Sequence, residues 1–214
     1  MRRGFAGLCA LIGVLAAAQA APAADTVLDH YLAGLKSLHT DFVQTVTDAH
    51  GSAIEAGTGS LQVQRPGKFR WDYEPRGSEQ SGQLLVADGK NLWFFDRELS
   101  QVTVKPINAA LSATPIVLLS GSAEELRASF DVSAAAPHDG LSWVEVKPRS
   151  DQADFSDAQL GFKDDELARM LVHDSLGQTV QLDFTHAQRN APVDPAAFAF
   201  KVPAGVDVIG TPQH

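Results

Sequence analysis

Apolar residues recur along this chain at two spacings, and the switch between them marks out its elements. Leu28, Tyr31, Leu32, Leu35 and Leu38 return every three or four positions, which predicts one face of a helix with Asp25 as a candidate N-cap. From Phe42 the spacing drops to two. Phe42–Val46, Leu61–Gln64, Phe69–Glu74, Leu84–Ala87, Leu92–Phe95 and Gln101–Lys105 read as short strands, with turn residues at Asp48–Gly51, Arg65–Lys68 and Asp88–Asn91 between them. The strand pattern returns at Phe130–Val132, Leu141–Val146, Gln159–Phe162, Arg169–His173 and Val180–Thr185, and Phe198, Phe200 and Val202 predict a last short strand before Pro203.

One stretch fits neither spacing. Thr114-Pro115-Ile116-Val117-Leu118-Leu119-Ser120-Gly121 carries an N-cap, a first-turn proline and a terminating glycine, and it is apolar on nearly every side. Ser122-Ala123-Glu124-Glu125 behind it has capping-box spacing and opens a second short helix. The expected fold is therefore mainly β: a single-domain, incomplete (half-open) antiparallel β-barrel of about 11 strands with a helical lid. A sheet of that size curls, and a curled sheet has an inside to fill.

What fills it stays open on pattern alone. Phe69, Trp71, Tyr73, Trp93 and Phe95 lie at inward-type positions of neighbouring strands, either as packed core or as the wall of a cavity. An oily helix needs cover on more than one side, and a lid across a barrel mouth supplies it. Arg65 shares parity with Leu61 and Val63, so its guanidinium either points inward and needs acceptors, for which the C-terminal carbonyls of the lid helices are suited, or belongs to an exposed turn. The expected lining of the cavity is Leu35, Phe69, Trp71, Trp93, Phe95, Ile116, Leu118, Leu119, Leu182 and Phe184, with Arg65 as the latch.

The amino terminus adds a compartment. Arg2 and Arg3, an apolar run from Phe5 to Ala18 and the small-x-small site Ala18-Gln19-Ala20 form a secretory leader, so residues 1–20 are expected to be removed and residues 21–214 to form the domain. Cys9 lies inside that leader, leaving a mature chain without thiol, disulfide or lipid anchor. Loss of two arginines and no acid moves the formal net charge from −9 to −11, a surface that repels nucleic acid.

Enzyme signatures are missing. His30, His39, His50, His138, His173, His186 and His214 form no metal-site spacing, and Ser120-Gly121-Ser122 lacks the glycine offsets of a nucleophile elbow. The expectation is a monomeric, non-enzymatic protein with no metal and no cofactor.

The series Phe42-x-Gln44-Thr45, Asp48-x-x-Gly51, Arg65-Pro66-Gly67-Lys68-Phe69-Arg70-Trp71, Val86-x-Asp88-Gly89-Lys90-x-Leu92-Trp93 and Gln101-Val102 resembles the outer-membrane lipoprotein carrier (LolA) family. The likeness runs to Phe198-x-Phe200 and Pro203-x-Gly205-Val206-Asp207-Val208, and so spans essentially the whole mature chain. It implies a periplasmic carrier that accepts acylated lipoproteins from an inner-membrane ABC-type release complex and passes them to an outer-membrane lipoprotein receptor. It also implies that Arg65 bonds to the lid, and that Phe69 is tied to accepting lipoprotein and closing the cavity. The related receptor is itself a lipoprotein; a mature chain without cysteine, and a polar Arg76–Gly82 loop, argue for carrier over receptor. A periplasmic protein of the same fold that binds small lipids is the alternative, and a hydrolase acting on such a ligand is a third.

Overall fold

The computed structural model describes residues 25–78, 81–107, 116–150 and 153–213. The leader, Cys9, Thr114 and Pro115 lie outside the described residues. The first helix, α1, is Val27–Ala33, shorter than the apolar repeat predicts. Thr26, not Asp25, caps it: Asp29 N–H bonds to the Thr26 hydroxyl (3.4 Å) while the Asp29 carboxylate accepts from Thr26 N–H (2.7 Å). Leu35 follows the helix, and Leu38 already belongs to the first strand.

Eleven antiparallel strands follow: β1 (Ser37–Thr47), β2 (Ala53–Gln64), β3 (Lys68–Pro75), β4 (Gln83–Asp88), β5 (Asn91–Asp96), β6 (Gln101–Pro106), β7 (Phe130–His138), β8 (Leu141–Pro148), β9 (Asp157–Lys163), β10 (Glu166–His173) and β11 (Thr179–Arg189). Among the described residues two short helices, α2 (Val117–Ser120) and α3 (Ala123–Ser129), interrupt them between β6 and β7. A twelfth strand, β12 (Asp207–Ile209), joins β6 in parallel, so the sheet runs β12-β6-β5-β4-β3-β2-β1-β11-β10-β9-β8-β7 and does not close.

The sheet curls because one face is dense with apolar side chains. Leu38, Phe42, Leu61, Val63, Phe69, Val144, Leu160, Met170 and Leu182 share that face and merge with Leu28, Tyr31, Leu32 and Leu35 into one core. Two glycines of β2 permit close packing on it. A Cβ at Gly57 would stand 2.6 Å from the Tyr73 ring and one at Gly59 2.3 Å from the Phe42 ring, so those rings occupy the room the missing side chains leave.

The expected last strand at Phe198–Val202 is not one. Pro195–Phe198 is a 3-10 turn capped by Asp194, and the residues after it cross the outer face of the sheet without ladder pairing. Phe198 is buried there, and Phe200 stacks on Trp93 with ring centroids 5.2 Å apart. The alternation of Phe198 and Phe200 reflects insertion into that outer surface, with no strand pairing behind it.

Candidate functional site

The cavity sits on the inner face. Its volume is about 170 Å³, and Trp71, Leu85, Ile116, Met170, Val172, Val180, Leu182 and Gln44 line it. Trp71 and Leu85 come from β3 and β4, whereas Met170 and Val172 come from β10. Strands β2, β1 and β11 separate them in the sheet, so only a strongly curled sheet brings the two walls together. Ile116, just ahead of α2, closes the cavity from above, and Leu118 and Leu119 of α2 are buried beneath the same cover. Trp71 is held in the wall by stacking on Phe42 at a centroid distance of 3.8 Å.

Of the expected lining, Trp71, Ile116 and Leu182 reach the cavity. Leu35, Phe69, Leu118, Leu119 and Phe184 pack in the core around it and do not face its space; Phe69 is 0% exposed. Trp93 and Phe95 are on the wrong side. Register places Phe94 opposite Leu85 and Thr103, on the inner face, and Trp93 opposite Val86 and Val104, on the outer one. Trp93 Nε1–H donates to Asp88 (2.9 Å), which also accepts from Lys90 N–H and Asn91 N–H, and both Trp93 and Phe95 pack against Phe200. The Asp88-Gly89-Lys90-x-Leu92-Trp93 motif is thus a hairpin clamp, with Gly89 at φ +96°. Strand β5 is apolar at four successive positions because both its faces are covered, and that erased the alternation that would have assigned Trp93 correctly. Leu85, Met170, Val172, Val180 and Gln44 were missed as lining; for Val180 and Gln44 the signal existed, since they share parity with Leu182 and with Phe42.

Arg65 is the joint between the cover and the rest. Its Nη1 donates to the Leu32 carbonyl in the last turn of α1 and, at 3.4 Å, to that of Leu35 just past the helix. Its Nη2 donates to the Gly121 carbonyl (2.6 Å) just past α2. The last carbonyls of a helix have no partner within the helix, so a forked cation between two helix ends satisfies both at once. The Arg65–Gly67 turn adds a further bond, from Gly67 N–H to the Ser120 carbonyl (2.9 Å). Partial burial lowers the Arg65 pKa, and the Glu125 carboxylate opposes that shift.

Two other arginines hold α1. Arg127 of α3 bonds to Asp29 (2.7 Å), and Arg189 of β11 lies over the Tyr31 ring at 4.5 Å while bonding to Glu166 (2.9 Å). Ser122 and Glu125 form the capping box of α3 that the spacing predicts. Among the described residues no group of three or more His, Cys, Asp or Glu could hold a metal ion.

A half-open β shell around an apolar pocket, covered by helices that an arginine pins at their ends, is the architecture of a protein that shelters an apolar ligand. A model of the outer membrane lipoprotein carrier protein LolA family matches residues 33–201. The outer-membrane lipoprotein carrier protein of Methylobacillus flagellatus is 38% identical over 86% of this chain and 87% of its own length. Its namesake from Chromobacterium violaceum is 40% identical over 92% and 91%. The chain belongs to the LolA family of outer-membrane lipoprotein carrier proteins. Among solved structures, an uncharacterised conserved protein from Thermus thermophilus superposes with a TM-score of 0.52 at 16% identity, covering 86% of this chain and 96% of that one, a likeness of fold.

Proposed function

We propose that this protein carries acylated lipoproteins across the periplasm, sheltering their acyl chains in the cavity beneath the Arg65-held helices. It is exported by residues 1–20, works as a monomer without catalysis, receives cargo from an inner-membrane ABC-type release complex and gives it to an outer-membrane lipoprotein receptor. The observation that carries the reading is an apolar cavity whose cover is fastened by hydrogen bonds to helix-end carbonyls, bonds that lie outside the ladder of the sheet.

Magnitudes support a cavity that opens. Burial is worth about 0.8 kcal/mol per methylene, so a triacyl anchor with roughly 40 of them prefers an apolar setting to water by about 30 kcal/mol. Yet a cavity of about 150 Å³ is enough only for a benzene-sized guest, and this one is about 170 Å³. A guest larger than that therefore requires the cover to move. The test is to express the protein with a triacylated lipoprotein substrate, isolate it, and identify what it holds. A bound triacylated cysteine peptide supports carriage. Free fatty acid or phospholipid alone would replace it with the small-lipid reading.

A further inference from the structure

A second space adjoins the cavity, and its chemistry differs. Gln83, Leu92, Phe94, Thr103, Lys105 and Asp154 line a groove of about 450 Å³ over the inner face of β4, β5 and β6. Leu85 lines both the groove and the cavity, so the two spaces meet at that side chain. Asp154 comes from the connection between β8 and β9, toward the other end of the strand order, and the groove thus bridges the opening that the unclosed sheet leaves. The cavity wall has one polar side chain, Gln44, whereas the groove sets an ammonium, a carboxylate, a carboxamide and a hydroxyl around an apolar floor of Leu92 and Phe94. Among the described residues the side chains of Gln83, Thr103, Lys105 and Asp154 make no hydrogen bond or ion pair within the protein.

We propose that this groove holds the polypeptide that follows the acylated residue of the cargo, as an extended segment recognised through its backbone. The inference rests on the carrier reading and adds where the rest of the cargo lies. Acyl anchor and polypeptide are joined within one residue, so the polypeptide must leave the cavity at its border, and at Leu85 that border is the groove. An acyl chain laid over Lys105 and Asp154 would desolvate both charges without pairing them. An extended peptide pairs them: its N–H groups suit Asp154, its carbonyls suit Lys105, and Gln83 and Thr103 serve either. Recognition of backbone makes the subsite indifferent to the sequence carried.

Residues 21–214 contain no cysteine, so a single one reports its own position. The probe is a tripalmitoylated S-glyceryl-cysteinyl peptide with a free cysteine two residues beyond the acylated one. Mature Thr103→Cys, Gln83→Cys and, as control, Val43→Cys on the exposed outer face of β1 are loaded with it and oxidised. The expected disulfide yield at Thr103 and Gln83 is about tenfold or more above the control, as the effective concentration of a held thiol requires. In the wild type, the peptide should tighten binding over the same anchor without peptide by about two- to tenfold, the range of one net hydrogen bond. Lys105→Met should lose that gain. Equal yields at all three cysteines, or an anchor that gains nothing from its peptide in the wild type, overturn the groove while leaving carriage standing. A photoreactive acyl terminus that labels Thr103 in place of Trp71 and Met170 gives the groove to acyl chains and overturns it too. Failure of the wild type to bind the probe overturns the carrier reading and this one with it. The wild-type comparison needs no variant, so a folding defect in any mutant does not blunt the test.

Discussion

Replacing Arg65 by Leu removes every hydrogen bond its side chain makes to α1 and to the end of α2 while keeping the stem apolar. A hydrogen bond to a charged group contributes about 1.5–3 kcal/mol. Two of these three contacts, to Leu32 and Gly121, are close, while the third at 3.4 Å is weak. The guanidinium is only partly buried, so solvent competes for it and the latch as a whole is worth about 2 kcal/mol. The Gly67 N–H bond to the Ser120 carbonyl remains in the variant. If loading requires the cover to lift, the apparent dissociation constant is the intrinsic one divided by the open fraction. Loss of about 2 kcal/mol from the closed form raises that fraction, and tightens apparent binding, by about thirtyfold. Arg65→Leu is therefore expected to load readily and to release slowly, because the closed form no longer competes with the ligand. A fluorescent triacylated lipopeptide gives the affinity by titration and the release rate by stopped-flow transfer to vesicles. Amide exchange over α1 and residues 116–129 reports opening directly. Wild-type affinity, release and exchange in a folded Arg65→Leu would refute the latch.

Three further substitutions separate wall from scaffold. Leu85→Gln puts an amide into the cavity wall from a partly exposed position, and should weaken lipopeptide binding by about tenfold with the fold intact, the scale of burying an unpaired polar group. Trp93→Ala should cost about 3 kcal/mol of stability in denaturant melts and leave that affinity within about twofold, because Trp93 packs on Phe200 outside the cavity. Phe69→Glu should fail to accumulate as folded protein, losing about 4 kcal/mol or more in a core site with no room for a charge; secreted, folded Phe69→Glu that binds no lipopeptide would instead give Phe69 a direct role in loading. The fourth prediction concerns pH. Burial disfavours the Asp29 carboxylate, but bonds from Thr26 and Arg127 outweigh it and hold its pKa below the ordinary 3.8. A lowered folded pKa means the α1–α3 tie is fully present above about pH 4, and is lost as the pH falls through the folded value. Amide protection in α3, taken relative to the intrinsic exchange rate at each pH, should fall on acidification in the wild type, and Asp29→Asn should flatten that fall.

How much of this was legible in the sequence depended on how many faces of an element are covered. Strands β3 and β11 have one buried face, and their alternation placed Trp71 and Leu182 on the inner wall, where they are. Strand β5 has cover on both sides, so Leu92-Trp93-Phe94-Phe95 held no phase, and only the register with β4 shows that Phe94 faces inward. The C-terminal segment failed for the opposite reason: Phe198 and Phe200 alternate because they anchor a crossing chain, while the true strand, β12, is three exposed residues that no period could reveal. Arg65 was readable either as a charged residue at an inward position demanding acceptors or as an exposed turn residue, and sequence could not show that Leu32 and Leu35 supply two of its three acceptors.

The arrangement of these parts also explains why closure is fastened at helix ends and not across the cavity. A polar tie inside the pocket would have to be desolvated with the cargo in place, leaving unpaired groups against acyl chains, each costing about 1–3 kcal/mol. Arg65, Arg127 and Arg189 all lie at the partly exposed margin, where on the proposed reading water would replace lost partners as the cover lifted. Opening then exchanges hydrogen bonds with solvent at small net cost, and burial against the apolar wall from Trp71 to Val172 is the stronger force holding a ligand. The two effects oppose each other. Because only the marginal one depends on a few replaceable side chains, the proposed latch predicts that the balance between holding and releasing shifts at Arg65 without altering the wall.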